Sequence, residues 1–92
     1  MYNEIILNTD AERFELHVDA LIAFTEYKRD GKLITLLHTE VPEALGGEGV
    51  GTELVKQVLE YCRDQQYTVK ALCPFIVDYI GKHPEWKALL KQ

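Results

Sequence analysis

The first half of the chain alternates apolar and polar residues with the period of two that is typical of β-strands. Four such runs, at residues 5–8, 14–18, 21–28 and 33–41, are separated by short polar turns. The last two runs flank Arg29-Asp30-Gly31-Lys32, where Asp-Gly supplies the positive φ angles of a tight hairpin turn. We therefore predict four antiparallel strands.

The fourth run carries apolar residues on both of its predicted faces. Strict alternation divides it into two sets that each share a face: Ile34, Leu36, His38 and Glu40, and Leu33, Thr35, Leu37 and Thr39. This pattern predicts a central strand of the sheet.

After residue 49 the hydrophobic period changes to three and four, as in an amphipathic helix. The apolar stripe of this helix consists of Val50, Leu54, Val55, Val58, Leu59 and Cys62. We predict a helix from Val50 to about residue 66, a buried strand at 68–72, a second helix from Pro74 to about residue 82, and a short helix after Pro84. A right-handed crossover would make the fifth strand parallel to the fourth. The predicted fold class is α/β, with a mixed, mostly antiparallel sheet of about five strands and two or three helices.

Length and composition favour one small domain. The chain has 92 residues, of which 47% are hydrophobic, and this supplies one core rather than two. We therefore expect a single domain over residues 1–92, either a monomer or a weak homodimer.

Charge and cysteine usage exclude several classes of protein. The net charge is −5 and no basic run is present, which disfavours nucleic-acid binding. The first residues predict neither a signal peptide nor a membrane span, so we expect no membrane partner and a cytoplasmic location. Cys62 continues the apolar stripe of the first helix and is expected in the core, and no cluster has metal-ligand spacing, so no metal site is predicted.

A glycine cluster, Gly46-Gly47-Glu48-Gly49-Val50-Gly51, lies between the fourth strand and the first helix. Backbone N–H groups in such a loop converge with the positive end of the helix dipole and can hold a phosphate or pyrophosphate. Gly51 directly precedes Thr52, without the lysine of a Walker A loop, and the glycine spacing differs from the dinucleotide-binding pattern. The loop therefore predicts a different phosphate-bearing ligand.

The loop resembles the pyrophosphate loop of the GNAT acetyltransferases, Gln/Arg-x-x-Gly-x-Gly/Ala, with Gly49 and Gly51 at the two small positions. Gly46 stands where most members have Gln or Arg, so one side-chain contact is missing. The segments His38-Thr39-Glu40-Val41-Pro42 and Ala71-Leu72-Cys73-Pro74-Phe75 strengthen the likeness to a small, minimal GNAT-like branch, over about residues 5–85.

This resemblance implies acetyl-CoA as cofactor and an unidentified amine as acceptor. It implies that the pyrophosphate rests on the glycine loop, that pantetheine lies between the fourth and fifth strands, and that the thioester ends near Cys73 and His38. The cofactor-binding residues implied in this way are Thr39, Glu40, Val41, Gly46, Gly47, Glu48, Gly49, Val50, Gly51, Thr52, Pro74, Phe75 and Tyr79.

Cys73 and His38 are the candidate catalytic residues. The Cys73 thiol would lie beside a helix N-terminus, where thiolate is favoured, and could act as nucleophile or base; otherwise it is a small buried residue at a strand end. His38 would end a neighbouring strand, where it could pair with the thiol or accept a proton from an amine, or serve only in packing. His17 and His83 are expected to be structural or surface residues.

Two further residues have alternative interpretations. Glu40 could act as a base through water or be a solvated carboxylate. In many GNAT enzymes a tyrosine protonates the leaving CoA thiolate, and it lies in the helix that corresponds to the one predicted to contain Tyr79. The alternative for Tyr79 is packing on the sheet.

Several functions are compatible with the sequence. Acetyl transfer to an amine could be direct or pass through a Cys73 thioester. A catalytically weak CoA-binding module, acting as a sensor or partner subunit, is the second hypothesis, because the chain is much shorter than typical GNAT enzymes. An interaction domain that binds no cofactor is the third hypothesis. If the protein is an acetyltransferase, its negative charge favours cationic acceptors.

Overall fold

A computed structural model of the chain describes residues 2–46 and 49–91. Its strands are β1 (Ile6–Asn8), β2 (Arg13–Val18), β3 (Leu21–Asp30), β4 (Leu33–Glu40) and β5 (Thr68–Ala71). Its α-helices are α1 (Val50–Asp64) and α2 (Pro74–Lys82), and 3₁₀ segments span Glu43–Leu45 and Pro84–Leu89.

The strands form a single sheet in the order β1-β2-β3-β4-β5. The first four are antiparallel neighbours, and β5 pairs with β4 in parallel, with Leu33 opposite Thr68 and Leu36 opposite Ala71. This confirms the predicted fold class and the parallel crossover.

Local sequence explains where the elements begin and end. Gly31 takes the positive φ of the β3–β4 turn at 60°, while Asp30 still belongs to β3. Helix α1 ends at Asp64, two residues before the predicted end, because Gln66 turns to a φ of 61°. The predicted short helix after Pro84 is a 3₁₀ segment rather than an α-helix.

The helices cover one face of the sheet. Helices α1 and α2 and the second 3₁₀ segment contact one another, and α1 packs on β2, β3, β4 and β5. The core between these layers contains alternate strand residues such as Phe14, Leu16 and Leu36, together with the apolar stripe of α1. Cys62 lies in that stripe with no exposure, which confirms its predicted place in the core, and burial raises the pKa of its thiol to about 12.

The opposite face of the sheet, which we call the open face, carries a charged network around Glu15. Glu15 is 5% exposed, and its carboxylate accepts hydrogen bonds from the side chains of His17, Arg13 and Asn8. The hydrogen bond from His17, followed by that from Arg13, lowers the pKa of Glu15 to about 2. Glu15 is therefore a buried, fully paired carboxylate.

No helix among residues 2–46 and 49–91 combines the length and the apolar character needed to cross a membrane. Within the same ranges, no three His, Cys, Asp or Glu side chains gather as metal ligands.

Candidate functional site

Strands β4 and β5 separate at one end of the sheet. Their last pairing is Leu36 with Ala71, after which the Leu36 carbonyl accepts two N–H groups, from Leu72 at 3.0 Å and from Cys73 at 3.2 Å. Strand β4 continues to Glu40 along β3, whereas the chain after β5 turns into α2. The β4 backbone beyond Leu36 therefore has an edge that β5 does not cover.

A β-bulge lies in β4 immediately before this edge. Tyr27 of β3 is opposite Leu36, but the preceding residue, Glu26, is opposite His38, so Leu37 has no partner across the ladder. An extra residue in a strand reverses which of the following side chains face each side. Leu36 and Thr39 consequently lie on the helix-covered side, and His38 and Glu40 lie on the open face.

This finding corrects the alternation predicted for β4. Ile34 and Leu36 are buried, but His38 and Glu40, which strict alternation places with them, are exposed. The imidazole Nε2 lies 3.9 Å from Oε2 of the Glu40 carboxylate. The expected contact between His38 and Cys73 is not formed, because the two side chains belong to opposite faces of the sheet.

Thr39 occupies the position expected of the imidazole. The Cys73 thiol donates a hydrogen bond to the Thr39 hydroxyl, with 3.4 Å between Sγ and Oγ1. The Thr39 hydroxyl also shares a hydrogen bond with that of Thr25, at 3.0 Å, and these two threonines are directly opposite each other on β4 and β3. The three side chains form a continuous polar chain.

Thr25 was missed by the sequence interpretation. It has no exposure and sits between the buried Ala23 and Tyr27 on one face of β3. A hydroxyl at an inward position among apolar residues needs a hydrogen-bond partner. The alternation of β3 predicts an inward position for Thr25, and this is the signal in the sequence that could have identified the residue.

Cys73 caps α2, as predicted. It has an extended conformation with φ −77° and ψ 122°, Pro74 follows at the first helical position, and its carbonyl accepts the N–H groups of Ile76 and Val77. The residue is 3% exposed. The thiol thus lies at the positive end of the helix, beside the uncovered edge of β4.

The glycine loop leads into a pocket at the N-terminus of α1. Gly49 caps the helix with a φ of 75°, and its carbonyl accepts the N–H of Glu53. The N–H groups at the first positions of a helix have no partner within the helix and point out of its end. They adjoin a pocket of about 390 Å³ lined by Val41, Leu45, Gly46, Gly49, Val50, Gly51, Thr52 and Phe75. Gly47 and Glu48, also predicted to bind the cofactor, lie outside the described residues.

Gly51 of α1 lies against the ring of Phe75 of α2. A Cβ atom on Gly51 would lie 2.8 Å from Cζ of the Phe75 ring and 3.3 Å from Cγ2 of Val41. Only glycine at this position leaves the ring where it is. The absence of a side chain here therefore shapes the pocket.

A second groove of about 510 Å³ continues from the first along α2. Both are lined by Thr52 and Phe75, and the second is also lined by Pro74, Asp78, Tyr79, Lys82 and His83. Tyr79 is 9% exposed and stacks on His83 with 4.4 Å between ring centroids. Burial raises the pKa of Tyr79, so its phenol is a neutral hydrogen-bond donor at neutral pH.

Comparison with known proteins agrees with this architecture. The family model of the GCN5-related N-acetyl-transferases matches residues 13–89. The NMR solution structure of a GCN5-like protein from Staphylococcus aureus superposes with a TM-score of 0.72 and 28% identity, covering 96% of this chain and 87% of that chain.

Curated relatives match a smaller region. Protein NATD1 of Gallus gallus and that of Mus musculus are each 32% identical to the chain over 59 residues, which make up 63% of this chain and 54% of theirs. Protein NATD1 of Homo sapiens shows the same identity over 52% of its length. The chain therefore spans about half the length of the curated relatives it matches. Because the family model covers most of the sequence and the fold agrees with it, the chain belongs to the GCN5-related N-acetyltransferase family.

Proposed function

We propose that this protein binds acetyl-CoA in the pocket between the glycine loop and α2 and transfers the acetyl group to an amine. One observation carries the proposal: adjoining grooves are lined by the N-terminus of α1, by Val41 just beyond β4, and by Pro74, the residue that follows Cys73. Membership of the acetyltransferase family supports the same reaction class.

The order of the chemical groups along acetyl-CoA matches the order of the groups along the proposed site. The pyrophosphate is an anion that helix N-terminal N–H groups and the helix dipole bind without a cationic side chain, and Gly49 to Thr52 present such groups. Pantetheine contains amides, which can hydrogen-bond to the β4 backbone near Thr39 and Val41. The thioester then reaches the Cys73 side of the opening.

The thioester route uses Cys73 as nucleophile. Its sulfur forms a bond to the acetyl carbon, the bond from that carbon to the CoA sulfur breaks, and the electron pair leaves with CoA sulfur, which takes up a proton. An amine then attacks the acetylated cysteine, and the thiol regains a proton. The hydrogen bond from Cys73 to Thr39 supports this route because it orients the sulfur.

The direct route uses other side chains. The amine attacks the thioester from the open face, and His38, with Glu40 3.9 Å away, is the candidate base that accepts its proton. The Tyr79 phenol is the candidate donor to the leaving CoA sulfur. In this route Cys73 has no covalent role.

The test is isothermal titration of acetyl-CoA and free CoA into the wild-type protein and a Gly49→Glu variant, followed by mass analysis of tryptic peptides. We expect micromolar binding that is lost in the variant, because a carboxylate beside the helix N-terminus repels the pyrophosphate. An acetyl group on the Cys73 peptide would select the thioester route. Failure of both ligands to bind the folded wild type would overturn the proposal.

Cys73→Ala separates the two routes of transfer. Release of free CoA is measured with a panel of primary amines for the wild type and this variant. Measurable activity in Cys73→Ala supports direct transfer, and complete loss with unchanged acetyl-CoA affinity excludes it. Tight CoA binding with no release of CoA by the wild type, with any amine, would identify a binding module instead of an enzyme.

A further inference from the structure

Packing alone does not require hydroxyl groups in the polar chain of Cys73, Thr39 and Thr25. Thr25 has no exposure and is flanked on its strand face by apolar residues, where valine would fill the same volume without a hydroxyl. The Thr25 hydroxyl is satisfied by Thr39, 3.0 Å away, and Thr39 in turn accepts the Cys73 thiol. Two hydroxyls are therefore linked in series to one sulfur, that of Thr39 half-buried and that of Thr25 fully buried.

We propose that Thr39 and Thr25 form a hydroxyl relay that positions the Cys73 sulfur and stabilises its thiolate. This role rests on the proposed function, in which the sulfur attacks the acetyl thioester. Thr39 and Thr25 are positioning residues, since both act through the sulfur.

The relay can serve both protonation states of the sulfur because hydroxyl groups rotate. In the thiol state, Sγ–H donates to Thr39 Oγ1, and Thr39 can donate to Thr25. In the thiolate state, Thr39 turns its O–H toward the sulfur, and Thr25 donates to Thr39 Oγ1. The thiol proton leaves to solvent or to the departing CoA sulfur and does not travel along the relay.

Several charged groups on the elements around Cys73 are engaged with other partners. On β4, His38 and Glu40 lie on the open face. On α2, Asp78 pairs with Lys82 at 3.1 Å and Tyr79 stacks on His83. On α1, the side chain of Glu53 accepts a hydrogen bond from Gln57. Among the described residues, the Thr39 hydroxyl is the polar side chain bonded to this sulfur, and the α2 dipole acts beside it.

The relay is tested by titrating the sulfur directly. Cysteine labelled with carbon-13 at Cβ gives one NMR signal for Cys73 and one for Cys62, whose core position makes it the internal reference for the fold. We expect Thr39→Val to raise the pH midpoint of the Cys73 signal by about one unit, since a hydrogen bond to the charged form is lost. Thr25→Val should raise it by about half as much, because the bond from Thr39 remains.

Serine variants are the matched controls. Thr39→Ser and Thr25→Ser keep the hydroxyl and remove a methyl group, so we expect their midpoints to stay at the wild-type value even if their melting temperatures fall. Unchanged midpoints in both valine variants would overturn the relay and leave a purely structural threonine pair. Equal shifts in the serine and valine variants would overturn it as well.

The result of the titration is independent of the result of the acetyl-CoA binding test. The titration needs no acetyl-CoA, so it reports on the relay even if the protein binds no CoA. Conversely, acetyl-CoA binding combined with unchanged midpoints would reject the relay while leaving the cofactor site intact. If the thioester route holds, the rate of Cys73 acetylation below the midpoint should fall in the same order, Thr39→Val more than Thr25→Val.

Discussion

The Cys73 thiol donates its hydrogen bond to Thr39 across 3.4 Å, while the residue next to Thr39, His38, points to the opposite face of the sheet. The opening between β4 and β5 thus has a sulfur on one side and an imidazole on the other. A thioester held in this opening would be accessible to the two groups from different directions. If Cys73 is the nucleophile, it and the amine acceptor therefore need not compete for the same approach.

Gly49 and Gly31 offer a matched pair for testing the anion site. Both have positive φ, 75° and 60°, and a Cβ atom would meet nothing closer than 3.7 Å at Gly49 and nothing within 4 Å at Gly31. Alanine should cost about 1 kcal/mol of unfolding free energy at either position, because the left-handed conformation is unfavourable for it. Titration should show weaker acetyl-CoA binding only for Gly49→Ala. Equal affinities in the two variants would argue against pyrophosphate binding at this helix end.

Gly51 and Gly81 form a second pair, in α1 and α2. Gly81→Ala meets nothing within 4 Å and should stabilise the protein by about 0.5–1 kcal/mol through helix propensity. Gly51→Ala gains the same propensity but displaces the Phe75 ring, which lines the pocket. We expect acetyl-CoA affinity to fall about tenfold in Gly51→Ala and to stay unchanged in Gly81→Ala. Unaltered binding in both would place the cofactor elsewhere.

Glu15 should make stability sensitive to acid. Its folded pKa of about 2 lies below the ordinary 4.5, so the folded state retains the carboxylate. The stabilisation is therefore present above pH 4.5 and is lost as the pH falls toward 2. Urea unfolding over this range should show the wild type losing stability, whereas Glu15→Gln should be about 2 kcal/mol less stable at neutral pH and nearly independent of pH in this window. Glu26→Gln, an exposed change on the same face, is the control, and a slope in Glu15→Gln as steep as that of the wild type would contradict the assignment.

His38 should affect turnover rather than cofactor binding if transfer is direct. His38→Gln is expected to lower kcat/KM for an amine about a hundredfold and to flatten the acidic limb of the pH–rate profile, with acetyl-CoA affinity unchanged. His17→Gln is the control: it removes the imidazole that hydrogen-bonds Glu15 and should reduce stability above pH 4.5 without changing the shape of the rate profile. An unaltered profile in His38→Gln would remove His38 from the mechanism.

Much of the fold could be predicted from the sequence because its periods are regular. The apolar stripe from Val50 to Cys62 identified α1, and Asp30-Gly31 identified the β3–β4 turn. The bulge could not be predicted, since no glycine or proline marks Leu37 and the shift in register shows only when Tyr27 and Glu26 are paired with β4. That single residue made the predicted faces of β4 wrong after Leu36, and with them the His38–Cys73 contact.

The sequence could predict which residues are candidates without knowing the register of the strands. It could not predict which of their side chains are in contact. Cys73 lies at the start of α2 whatever the faces of β4, because Pro74 fixes the first helical position. Thr39 was implied only as a cofactor-binding residue, and its side-chain contacts required knowing that Thr25 lies opposite. Cross-strand contacts depend on register, whereas helix caps depend on adjacent residues.

The bulge at Leu37 also means that residue count alone does not decide which side chain faces Cys73. If Leu37 were deleted, His38 would follow Leu36 directly, and regular alternation would keep Thr39 toward the sulfur and His38 on the open face. A regular strand that retained Leu37 would instead turn the imidazole toward the sulfur. The loss of one codon here would therefore straighten the strand in a descendant of this gene without altering the partner of the thiol.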